Sequence, residues 1–141
     1  MSDPIEDAFY DKLAGDGTLT AQLSSYPTSP PVPAIFFSRE VPENAVMPYL
    51  VAEGLASDRN DDSLTDKHRD IEKEIHCYAI NDGDPSVIDS IANRVRVLFH
   101  DQPLTIAGFS MEGVTAIGPL AGPTSDEYHR VVSIRVRMTA V

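Results

Sequence analysis

The sequence predicts an α+β fold, an antiparallel sheet of about four strands flanked by helices, and three observations carry that reading. Two segments place apolar residues at helical spacing behind Asp-Pro start signals, three others alternate with period two, and the connections are rich in proline and glycine. At 141 residues and 15.4 kDa the chain has the length of one core, so residues 1–141 read as a single domain.

Asp3 and Pro4 form an N-cap followed by proline at the first helical position, with Glu6 three residues after the cap. Ile5, Phe9 and Leu13 then recur at helical spacing and Gly15 follows, so a helix is expected from Pro4 to Ala14. Thr18 is expected to cap a second short turn that extends the apolar face through Leu19 and Leu23. Six prolines between Pro27 and Pro48 forbid a helix and deprive any central strand of donors, which predicts an extended arm at about 27–48. The arm also carries Ile35, Phe36 and Phe37, so it is expected to pack, either on the edge of its own core or on a neighbouring subunit.

Tyr49 to Ala56 reads as a strand, with Tyr49, Val51 and Leu55 on one side. Ser57 to Lys67 shows no apolar periodicity and reads as a projecting polar loop. From His68 to Ile80 the chain alternates again. Ile71, Ile75, Cys77 and Ala79 face one way, with Lys73 interrupting them, while Asp70, Glu72, Glu74 and His76 face the other. A second Asp-Pro pair at Asp84 and Pro85 opens the strongest helix, with Val87, Ile88, Ile91, Val95, Leu98 and Phe99 at three- and four-residue steps. Leu104 to Phe109 and Glu112 to Ile117 read as short strands broken by Gly108 and Gly113, and the stretch GPLAGPTSD as a loop. Tyr128 to Met138 closes the chain with the clearest strand alternation.

Composition excludes several functions. No apolar run approaches the roughly 18 residues of a membrane helix, and the acidic N-terminus predicts neither export nor organelle targeting, hence synthesis in the cytoplasm and no membrane partner. One cysteine, Cys77, precludes an internal disulfide, and with four scattered histidines it argues against a cysteine-rich zinc site. Twenty-two acids against 11 Lys plus Arg give a net charge of −11, poor equipment for gripping phosphates but suited to lying beside DNA without holding it.

The strings whose mechanics argue for catalysis, such as a phosphate loop, GxSxG or HExxH, do not occur, so no enzyme, cofactor or catalytic residue is predicted. Asp58, Asp61, Asp62, Asp66, His68 and Asp70 lie densely enough to suggest a hard cation. Counting twelve positions from Asp58, however, puts Ser63 where an EF-hand needs glycine and Arg69 where it needs glutamate, so a solvated acidic loop is the reading. The histidines are read as surface residues and Cys77 as an inert thiol beside Ile75. Arg130, Arg135 and Arg137 are placed on one strand face, pairing with Glu72 and Glu74 or with acids on a neighbour.

In order, LAGDGTLTAQL, VPENAVMPYLVAEGLASD, RDIEKEIHCYAI with the helix SVIDSIANRVRVLF, and the closing EYHRVVSIRVRM resemble the tail completion, or tail terminator, proteins of long-tailed bacteriophages and gene transfer agents. The resemblance spans about Phe9 to Met138, and the chain departs from it in the longer proline run TSPPVP. It implies a non-enzymatic virion protein, assembled in the host cytoplasm, that forms a homo-oligomeric ring, most often hexameric, at the head-to-tail junction. Such a ring ends polymerisation of the tail tube protein, joins the tail to a head completion or connector protein, and lets DNA pass without specific binding. On that picture Asp58, Asp61, Asp62 and Asp66 face the lumen or the next ring. Ile35, Phe36, Phe37, Tyr49, Val51, Leu55, Arg135 and Arg137 are the candidates for the subunit interface. The competing expectations are a tail tube subunit, a head-side connector protein, or a small metal- or ligand-binding cytoplasmic domain using the acids between Asp58 and Asp70.

Overall fold

A computed structural model describes residues 4–27, 30–37, 41–62, 67–106, 108–121 and 126–140, with the backbone alone at 54–62, 67–69 and 140. The elements are α1 (Pro4–Ala14), α2 (Gly17–Thr20), β1 (Ser25–Tyr26), β2 (Val32–Pro33), β3 (Ile35–Phe36), β4 (Tyr49–Asp62), β5 (Lys67–Ile80), α3 (Ser86–Phe99), β6 (Phe109–Ala121) and β7 (Glu127–Ala140). The fold is α+β as expected, and its main sheet has five strands in the order β3-β4-β5-β7-β6. The four long strands pair antiparallel. The fifth, β3, joins the edge of β4 in parallel, with Ile35 opposite Leu50 and Phe36 opposite Val51.

β5 lies at the centre of the sheet, and its buried face meets both neighbours: Ile75 stands opposite Ala52 of β4 and Val132 of β7. The helices cover that face. Phe9 and Leu13 of α1, Leu19 of α2, and Ile88, Ile91, Val95 and Phe99 of α3 bury against Leu50, Ile75, Cys77, Val132, Ile134, Val136 and Met138. Phe9 stacks on Phe99 with ring centroids 5.1 Å apart, an arrangement worth about 1 kcal/mol beyond its burial. Lys73, which interrupts the apolar side of β5, is 6% exposed and holds its ammonium 5.8 Å from the Phe9 ring and 5.9 Å from the Phe37 ring.

Four expectations are corrected. α2 is capped by Asp16, two residues before Thr18, because the Asp16 carboxylate in extended backbone accepts a bond from the Leu19 N–H at 3.0 Å. At α3, Asp84 lies one residue outside the cap position and accepts from the Ser86 N–H at 3.0 Å, which leaves Pro85 at the cap. The expected N-cap of α1, Asp3, lies outside the described residues.

The region expected as a polar loop from Ser57 to Lys67 is largely strand. β4 runs on to Asp62 and β5 begins at Lys67, with Arg59 opposite Asp70 and Asp62 opposite Lys67 beyond a bulge between Leu55 and Arg59. Ladder hydrogen bonds, which do not depend on side-chain polarity, carry the polar segment into the sheet. Likewise β6 is one strand, not two. Gly113 sits at its first bulge and Gly118 and Pro119 at its second, so residues that read as loop are irregularities of an edge strand, where proline is tolerated. Residues 104–106 precede β6 as irregular chain, although Leu104 and Ile106 are buried.

The proline-rich segment folds onto its own sheet. Ser24 donates from its backbone to Pro48 at 3.0 Å and from its hydroxyl to Met47 at 2.9 Å, while the Ala34 N–H donates to Ser24 and the Leu50 N–H to Ala34. These bonds hold β3 against β4 and bury Ile35 in the chain's own core at 6% exposure.

Candidate functional site: the helix-free face of the sheet

Because side chains alternate along each strand, the residues not facing the helices share the opposite face: Tyr49, Val51 and Glu53 on β4, Glu72, Glu74, His76 and Tyr78 on β5, and His129, Val131, Ser133, Arg135 and Arg137 on β7. Register then decides what meets. Tyr78 stands opposite Tyr49 on one side and His129 on the other, His76 opposite Val51 and Val131, and Glu74 opposite Glu53.

The result is a row of rings running across the strands. Tyr26 packs edge-on to Phe36 at 5.4 Å and Phe36 to Tyr49 at 5.9 Å, Tyr49 lies tilted against Tyr78 at 5.4 Å, Tyr78 stacks on His129 at 4.5 Å, and His129 lies nearly parallel beside His76 with centroids 5.0 Å apart. Burial, reinforced by the Glu127 carboxylate, raises the phenols of Tyr49 and Tyr78 above the ordinary tyrosine range. Burial, with the neighbouring His76 and Arg130 adding to it, lowers His129. His76 Nδ1 lies 2.7 Å from His129 Nε2, and His76 Nε2 lies 3.3 Å from Glu74 Oε1 and 3.5 Å from Glu53 Oε2.

Toward the other end of the same face, Glu72, Glu112, Thr115, Arg135 and Arg137 line an open groove of about 600 Å³. Arg135 approaches Glu72 at 3.8 Å and Arg137 approaches Glu112 at 3.6 Å, and both arginine side chains are more than half exposed. Such pairs contribute little stability on their own, so the guanidinium groups stay free to exchange partners. Arg130 does not share this face. It points to the helix side and donates to Asp89 of α3 at 2.9 Å.

Of the residues singled out in the sequence, Phe36, Tyr49 and Val51 come together in the aromatic half of this face and Arg135 and Arg137 in its charged half. Ile35 is committed to the core, and Phe37 packs against Tyr10 of α1 at 6.1 Å. Asp58, Asp61 and Asp62 lie on the outer part of β4, Leu55 stands opposite Glu72, and Asp66 falls outside the described residues. The cluster of Glu53, Glu74, His76 and His129 was not foreseen. Glu74 and His76 do share the polar side of β5 in the sequence pattern, but only the register of β4 and β7 brings Glu53 and His129 to them.

The chain is thus an α+β domain with one sheet face under helices and the other bare of them. The family model described as Tail completion protein gp17 matches residues 7–139, and the chain belongs to that family. It is thus a structural component of a phage-type virion tail. Its fold is similar to that of a chain in the structure titled "Virion of native gene transfer agent (GTA) particle", at 15% identity and a TM-score of 0.77, with 96% of this chain and 95% of that chain covered. No sequence among the curated proteins compared matches it. Among the described residues no helix is long and apolar enough to cross a membrane.

Proposed function

We propose that this chain closes into a ring, most simply a hexamer, at the head end of the tail tube. There it ends tube polymerisation, receives the head completion or connector protein, and leaves a channel through which DNA passes unheld. The observation that carries this reading is family membership joined to an excess of strand over helix. β4 and β5 are 14 residues each, about 46 Å if fully extended, whereas α3 is 14 residues and about 21 Å long. One chain's helices therefore cover only part of a sheet this long, and copies arranged around an axis supply the remaining cover through two different patches on each subunit.

The hairpin of β4 and β5 is the natural part to reach the lumen or the adjoining ring. It carries Asp58, Asp61 and Asp62 along β4 and Asp66 in its connection, and a negative wall repels phosphates and so does not brake a moving genome. Phe36 and Tyr49 on one half of the bare face, and Arg135 and Arg137 on the other, offer the apolar and basic surfaces that a ring contact pairs, whereas Val51, 3% exposed, is already covered within its own chain. The fold's role is structural, and no turnover of a substrate is expected.

Electron microscopy of particles made with and without the protein tests the proposal: tails of uncontrolled length in its absence are the expected result, and tails of normal length joined to heads would refute it. Reversing the four aspartates to lysine is expected to slow DNA ejection or weaken assembly, and unchanged infectivity would count against their placement in the channel.

A further inference from the structure

The bare face carries one arrangement that the proposed ring contacts do not call on. Glu53 and Glu74 are directly opposed across β4 and β5, a register in which two like charges destabilise a sheet. Both carboxylates turn toward the same imidazole nitrogen, His76 Nε2, and one donor atom from each of the three residues lies within 4.8 Å of the others. We propose that Glu53, Glu74 and His76 form a binding site for a divalent transition ion of the zinc class, with His129 as the residue that positions His76.

The separations fit the ion. Two ligands on a tetrahedral centre with bonds of about 2.0–2.1 Å stand about 3.3–3.4 Å apart. His76 Nε2 lies 3.3 Å from Glu74 Oε1 and 3.5 Å from Glu53 Oε2, both close to that spacing, and the two carboxylate oxygens lie within 4.8 Å of each other, so rotation of a glutamate side chain brings the third edge to it. One nitrogen and two carboxylates is a borderline donor set, which favours zinc, cobalt or manganese over calcium, since calcium prefers six or more oxygens. A doubly charged ion also neutralises the opposed carboxylates.

The second ring nitrogen supports the assignment. His76 Nδ1 sits 2.7 Å from His129 Nε2, a distance at which one nitrogen carries the hydrogen and the other accepts it. Without an ion the carboxylates accept from Nε2–H and Nδ1 accepts from His129; an ion on Nε2 takes that nitrogen's lone pair, so the hydrogen then sits on Nδ1 and is donated to His129 Nε2. This is the orientation that a hydrogen-bonded partner imposes on metal-binding histidines. His129 is itself held by stacking on Tyr78 at 4.5 Å. The His76 side chain is 14% exposed, whereas Glu53 and Glu74 are 26% and 28% exposed, so the fourth position opens to water at the carboxylate edge. The site lies on the regular part of the sheet, apart from the aspartates of the outer hairpin.

Calorimetric titration of the full chain, freed of metal by chelation and dialysis, with zinc chloride tests the proposal, alongside calcium chloride and the variants Glu74→Gln, His76→Gln and His129→Gln. Thermal melts establish that each variant folds. The expected result is one zinc per chain, with affinity reduced at least about tenfold in the first two variants and about tenfold in the third, and no matching calcium binding. Nitrogen NMR of the imidazoles gives a readout independent of any variant: zinc should shift His76 Nε2 before the nitrogens of His68 or His100. Absence of zinc binding, equal affinity in His76→Gln, or an unshifted His76 Nε2 would each overturn the site, and none of these outcomes bears on whether the protein caps a tail.

Discussion

Replacing Asp16 separates two jobs that one carboxylate performs. Its oxygens cap α2 through the Leu19 N–H at 3.0 Å, and both accept from the Arg94 guanidinium of α3 at 2.8 Å, tying the turn between α1 and α2 to the helix that packs on the sheet. Loss of an N-cap costs about 1 kcal/mol. A charged, forked pair is worth about 2 kcal/mol when well protected, and with the Arg94 side chain one-third exposed a contribution of about 1 kcal/mol is the fair figure. Asp16→Ala should therefore destabilise by about 2 kcal/mol, and Asp16→Asn, which keeps a capping oxygen and loses the charge, by about 1 kcal/mol. For a chain of this length 1 kcal/mol is about 3 °C in melting temperature, so drops of roughly 6 and 3 °C are expected in a thermal melt followed by circular dichroism. Coupling in a double-mutant cycle of Asp16→Asn with Arg94→Gln should be about 1 kcal/mol. The Arg94 bonds hold the Asp16 carboxyl below its ordinary value, with the Leu19 N–H adding to this against burial. A group lowered on folding contributes stability that is full above its unfolded value, near 4, and is lost as pH falls through the folded value. The gap between wild type and Asp16→Asn should accordingly be full at neutral pH and close below about pH 4. Coupling under about 0.3 kcal/mol, or a gap that does not change in acid, would refute the argument.

Gly118 and Gly83 both adopt positive φ, at 114° and 88°, yet their surroundings differ. An added Cβ at Gly118 would lie 2.8 Å from the Val131 carbonyl oxygen, whereas at Gly83 it meets open space. Gly118→Ala should cost about 3 kcal/mol in urea unfolding and Gly83→Ala about 1 kcal/mol, and equal costs would contradict this. Cys77 is fully buried in the central strand and its thiol is pushed up to about 12 by that burial, so a thiol reagent at pH 8 should label the folded protein only at the rate of unfolding, and rapid labelling would show that the strand is not closed over it.

Helices and central strands were legible in the sequence because burial on one face writes a period. α1 begins and ends as its apolar spacing requires, and β5 and β7 agree to within two residues with the alternation of Ile75, Cys77 and Ala79 and of Val132, Ile134 and Val136. Where the residues are mostly polar the pattern vanishes, although the backbone ladder continues. For this reason the outer ends of β4 and β5 read as a loop, and the bulges of β6 read as breaks. The arm was ambiguous for a different reason. Prolines exclude a central position but permit an edge, and whether β3 completes this chain's sheet or another's depends on the bonds linking Ser24, Ala34, Pro48 and Leu50, which no local pattern encodes.

The bare face illustrates the further limit. The expectation that Arg130 shares a face with Arg135 and Arg137 fails on spacing alone: five residues is an odd step, which sends Arg130 under α3 to Asp89 and leaves the other two on the open side. Glu53 and His129 are 76 positions apart in the chain and meet only because β5 stands between their strands in a register fixed by the core on its other side. A slip of one residue in β4 would carry Tyr49, Val51 and Glu53 to the helix side and Leu50 and Ala52 into the open, and would exchange buried apolar side chains for a carboxylate and a phenol. Packing under the helices therefore determines which groups appear on the face turned away from them. An alteration of that core that shifts register would disassemble both the row of aromatics and the carboxylate-histidine cluster without touching either.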